Sequence, residues 1–143
     1  MSHVIIRKLV SAVIACVLVM LIFFLEEQTG FVMIIGMYLL PILLFYGIPA
    51  SILSDIITTK LSGLLRGSLA LFIHLFLAAL FIVIPILFSE LERDLLLADI
   101  RSLYDNFYFI TSLLSSSLFW CIDEVLRSKR VKVLSEKNGN LRI

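Results

Sequence analysis

His74 is the one ionisable side chain in the run "GSLALFIHLFLAALFIVIPILFS", residues 67–89. An ionisable group inside an apolar span marks a substrate contact or a proton relay by default, because its polar atoms must find partners away from water. It lies seven residues into the run, about 10 Å along a helix at 1.5 Å per residue. Its candidate partners are the hydroxyls of Tyr38 and Tyr46 and those of a serine-rich stretch, "NFYFITSLLSSSLFWCI", residues 106–122. There Thr111 and Ser115 are four apart, as are Ser112 and Ser116. That spacing puts small polar groups on adjoining helix faces, where they pack and hydrogen-bond to neighbouring helices. The plainer account of His74 is a neutral imidazole bonded between helices. As a metal ligand it has little company, since His3 is the only other histidine. A nucleophilic serine needs a base and an oxyanion hole. Neither is identifiable, no GxSxG occurs, and the expectation is that the protein is not an enzyme.

Asp55 is the second candidate, in "FYGIPASILSDIITTK", residues 45–60. Gly47 and Pro49 interrupt an apolar run there. From Ile52 to Arg66 the apolar residues Ile52, Leu53, Ile56, Ile57, Leu61, Leu64 and Leu65 recur near helical spacing, with polar residues opposite. This predicts an amphipathic helix over residues 51–66, lying in the membrane interface. Ser51 or Ser54 would cap it, Asp55 would face the positive end of its dipole, and Lys60 would snorkel to the headgroups. "GLLRG" places Gly63 and Gly67 four apart, a spacing that lets helices approach closely.

The elements that position these groups follow from composition. Of 143 residues, 61% are hydrophobic and 16% charged, against about half and a quarter in soluble domains. A soluble fold of this size could not hide so much apolar surface, so the solvent is lipid. Spans are predicted at residues 9–25, 30–50, 67–89 and 106–122, each near the length that crosses a core of about 30 Å. The fold class is all-α: a four-helix membrane bundle over residues 1–122, with a basic, flexible tail at 123–143. Pro41 should kink the second span, and Pro49 should end it. "VIAC" looks like a lipoprotein box, but nine apolar residues follow Cys16; an uncleaved first span is expected. Cys16 and Cys121 lie in different spans at different depths, so no disulfide is expected. Tyr104, Phe107 and Tyr108 at one end of the fourth span, and Phe119 and Trp120 at the other, read as interfacial belts.

"FYGIPASILSD", residues 45–55, resembles a recurring segment in a family of small uncharacterised multi-pass membrane proteins of Bacillus-type bacteria. The resemblance implies a bacterial plasma-membrane protein and implies no activity.

Four spans sort the Arg and Lys residues unequally. Arg7, Lys8, Lys60, Arg66, Arg127, Lys129, Arg130, Lys132, Lys137 and Arg142 fall on one side; only Arg93 and Arg101 fall on the other. The positive-inside rule then puts both termini in the cytoplasm. The acidic loop of residues 90–106 is expected to be a solvated helix at the outer interface. No cofactor is expected, nor nucleic-acid binding, since no folded reader accompanies the basic tail. The partners are the lipid bilayer and a membrane protein or further copies of the chain. The expected function is that of an accessory, regulatory or immunity-type binding protein of another membrane component. The alternative is an oligomeric transporter or channel with a polar path through His74 and the serines.

Overall fold

The structure, a computed structural model, describes residues 2–26, 30–89, 93, 99 and 106–139. Its elements are α1 (Ser2–Glu26), α2 (Phe31–Ile42), a π turn (Leu43–Gly47), α3 (Ile48–Ile57), α4 (Gly63–Phe88) and α5 (Phe107–Gly139). Among the described residues there is no strand, and four helical segments are long and apolar enough to cross a membrane: His3–Glu26, Phe31–Ile57, Gly63–Phe88 and Phe107–Ser128. The all-α, four-helix membrane bundle is therefore what forms. The long apolar side chains Phe45, Leu64, Phe72 and Phe88 are among the many left exposed around its perimeter. In water that would be untenable; in lipid it is the solvated face.

The second span departs from expectation. Pro49 does not end it, and no separate amphipathic helix runs over residues 51–66. Helix continues through the π turn to Ile57, a turn follows, and α4 starts at Gly63. The reason is local. The Ile48 N–H bonds Leu43 O, five residues back. Pro49, which has no N–H to give, follows at once in the first turn of α3. A π turn next to proline lets a membrane helix absorb a lost backbone bond instead of breaking. The apolar residues 52, 53, 56 and 57 read as an interfacial face are instead exposed on the end of a span. Ser51 and Ser54 are buried and cap nothing, and Asp55 lies in the last turn of α3 rather than the first turn of a helix.

Two more boundaries move. Helix α1 begins before residue 9 and carries Arg7 and Lys8 inside it. Helix α5 runs on to Gly139, so the tail expected to be flexible is helical over most of its length. The loop at 90–106 lies, apart from Arg93, Asp99 and Asn106, outside the described residues, as does Tyr104.

Helix α5 packs along both α1 and α4, α1 along α2, and α3 against α4. The buried face of α1 is Lys8, Ser11, Ala12, Ala15, Cys16 and Val19, a seam at helical spacing made, beyond the long Lys8 side chain, mostly of small residues. Leu39, Leu43 and Phe119 close the core against it. Phe119 is 1% exposed, so it belongs to this core and not to an interfacial belt. Gly36 lies under α1 because a Cβ there would stand 2.5 Å from Met20 Sδ. On α4 the buried residues Arg66, Ala70, His74 and Ala78 recur every four, as do Thr111, Ser115, Phe119 and Asp123 on α5. The two rows run antiparallel and interdigitate, as ridges formed at that spacing do. Cys16 is buried, Cys121 is exposed, and both are free.

Candidate functional site: an ion network and a histidine cavity

At the end of the bundle where α1 starts, charges from every span converge. Asp55 Oδ2 lies 2.7 Å from Lys8 Nζ and 3.5 Å from Arg7 Nη2; its Oδ1 lies 3.1 Å from Arg127 Nη1 and 3.4 Å from Arg66 Nη2. Asp123 accepts from Arg7 Nε at 2.7 Å and from Lys8 Nζ at 3.2 Å. Arg66 Nη1 donates to Glu124 at 2.9 Å. Lys8 completes its set by donating to Ser51 Oγ.

The chain folds this way because the residues sit on the packing rows themselves. Lys8 lies one turn before Ser11 and Ala12 on the buried seam of α1 and is 0% exposed. Asp123 continues the row of Phe119 on α5, and Arg66 begins the row of Ala70 and His74 on α4. An ammonium cannot be left bare at such a position, so its three donors require fixed oxygen partners. Ser51, Asp55 and Asp123 supply them. Asp55 sits near the C-terminus of α3, where the helix dipole disfavours a carboxylate. Four cations from three other helices override that repulsion. The network thus ties all four spans together at one end.

Of the residues singled out in the sequence, Asp55 is the hub of this network rather than a cap. Lys8, Ser51, Asp123 and Glu124 were not expected in it. A signal did exist: Lys8 keeps helical register with Ala12, Ala15 and Cys16, which flank lists of charges at span ends do not reveal.

His74 lies deeper, 5% exposed. Its Nδ1 is 2.9 Å from Ala70 O, and Ser54 Oγ reaches the same carbonyl at 3.4 Å. Its ring stacks on Phe119 at 6.1 Å between centroids. Its Nε2 is buried without a partner. A cavity of about 30 Å³ is lined by His74, Tyr46, Ser112, Ser115 and Ser116 among others. Tyr46 bonds Leu77 O at 2.7 Å instead of His74, and Tyr38 is exposed. Ser112 and Ser116 cross from α5 to donate to Ala78 O and His74 O, both at 3.0 Å. Ser115 bonds within its own helix, to Ser112 O.

Gly63 and Gly67 do not act as a pair. Gly67 faces Trp120, 3.8 Å from a Cβ placed there, whereas Gly63 has open space and serves the turn through its φ of +64°. A wider apolar groove of about 340 Å³ lies between α2, α4 and α5, with Tyr38, Phe81 and Tyr108 among its walls. Among the described residues, no three His, Cys, Asp or Glu side chains are grouped to hold a metal. Comparison with known protein families, curated proteins and solved structures finds no match.

Proposed function

We propose that this is a non-enzymatic accessory protein of a bacterial plasma membrane, with both termini cytoplasmic, that works by binding another membrane component in a regulatory or immunity-type role. The observation that carries this reading is the ion network. Transport by alternating access requires helices to part at each end in turn. Here seven charged side chains from all four spans hold one end in a single arrangement. Parting them would take from Lys8, 0% exposed, the oxygens its ammonium needs, a cost of several kcal/mol. A fixed bundle suits a binding partner better than a carrier. The excess of Arg and Lys at that end, and the resemblance of residues 45–55, support the membrane and the orientation.

One observation favours the transport alternative: His74, Ser112 and Ser116 do share a cavity. Flux into proteoliposomes separates the two, with wild type beside His74→Ala and protons, alkali cations and small anions screened. The accessory reading expects no flux above empty liposomes from folded protein, and discrete crosslinked products in cells from photoreactive groups at Tyr38, Leu64 and Tyr108. Flux abolished by His74→Ala would replace it with the transport reading.

A further inference from the structure

The hydrogens around the His74 cavity are already committed. The Tyr46 hydroxyl donates to Leu77 O, Ser112 to Ala78 O, Ser115 to Ser112 O and Ser116 to His74 O. A carbonyl only accepts, so the 2.9 Å bond to Ala70 O puts the ring proton of His74 on Nδ1. That leaves Nε2 as an acceptor, buried and without a partner. The polar residues of the lining, set among apolar ones such as Ile42, Phe81 and Phe119, thus offer lone pairs and no free hydrogen. Such a lining rejects anions, which bring only acceptors. It is also mismatched to an apolar filler, which leaves Nε2 unsatisfied.

We infer that this cavity is a binding site for one water-sized hydrogen-bond donor, which gives one hydrogen to His74 Nε2 and another to a serine or tyrosine oxygen. The size agrees: about 30 Å³ exceeds the ~10–15 Å³ that one water needs. Water and ammonium share this chemistry. No carboxylate lines the cavity, which favours the neutral donor. Ile42, Phe81, Ser112 and Ser115 line both this cavity and the wider groove, so the two adjoin. The site stands whether the protein binds a partner or transports.

The test is solid-state NMR of the full chain in lipid bilayers with 15N-labelled histidine, the His74 signals being those lost in His74→Gln. Samples are compared in sodium chloride and in ammonium chloride at equal ionic strength. The expected result is a protonated Nδ1 and an unprotonated Nε2 that receives magnetisation from water protons. An Nε2 signal that shifts only in ammonium chloride would support the same site with ammonium as occupant. A protonated Nε2 would overturn the inference, because the cavity would then face a donor. So would an unprotonated Nε2 with no transfer from water and no response to ammonium, which is a dry cavity.

Discussion

Replacing Asp55 by asparagine keeps the size of the side chain and removes the hub charge. In the native network Arg7, Lys8, Arg66 and Arg127 face Asp55, Asp123 and Glu124. After Asp55→Asn the four cations face two carboxylates, and Lys8, at 0% exposure, keeps only Asp123 and Ser51 as strong partners. Removing one member of a buried ion pair costs about 3–5 kcal/mol. Relief of the unfavourable dipole at the end of α3 returns about 0.3–1 kcal/mol. The expected net loss is therefore about 2–4 kcal/mol, since the Coulomb and desolvation effects outweigh the dipole. Lys8→Met is the matched control. It leaves three cations against three carboxylates, Arg7 still faces both Asp55 and Asp123, and no ammonium remains to be buried, so the cost should be smaller than that of Asp55→Asn. Reversible unfolding in lipid–detergent micelles measures both, and the double variant should cost less than the two singles added, because the sites are in contact. Asp55→Asn within about 1 kcal/mol of wild type, or Lys8→Met as the more damaging change, would refute the claim that charge balance around Asp55 holds this end together.

The remaining expectations are smaller. Ser112→Ala and Ser116→Ala each remove one bond from α5 to α4 and should cost about 0.6 kcal/mol, with about 1.7 as a ceiling, in the same unfolding assay; a larger loss would mean that they do more than join helices. Gly36→Ala should be absorbed by a shift of the flexible Met20 tip, whereas Gly36→Leu should cost about 1–3 kcal/mol by overpacking α1 against α2. Gly63→Ala should cost about 1–2 kcal/mol because φ is +64° there, while Gly67→Ala should be near neutral; equal effects would restore a shared packing role for the two. A C-terminal reporter that is active only in the cytoplasm should work in cells, and activity from one that needs export would reverse the proposed orientation.

The architecture was open to sequence reading because lipid imposes simple demands. An uncharged run long enough to cross the core spans most simply as a helix, and the placing of the basic residues supports the short, serine-rich fourth run, so four spans follow from apolar length and charge together. Pro49 defeated that reading, because its effect depends on a backbone register that the residue type does not state. A proline need not end a membrane helix where a local π turn lets the backbone adjust around it, and one lies directly before Pro49. The charges at the end where α1 starts were misread for a related reason. Flanking Arg and Lys residues are counted by the side of the membrane they fall on, which treats each as solvated. Counting by helical row gives another answer. Lys8 is in register with Ala12, Ala15 and Cys16, and Asp123 with Phe119, Ser115 and Thr111. A charge on the same row as small residues must be buried where helices meet, and a buried charge must have a partner of opposite sign on a facing row. Applied to α1, α4 and α5 together, that constraint permits Lys8 or Arg66 to pair with Asp123, while the half-buried Asp55 and Glu124 complete the network from beside the rows. The pairing needs the helices' relative rotation, which each row fixes only up to a choice of neighbour. The network was therefore latent in the sequence as a set of permitted pairs, and packing selected among them.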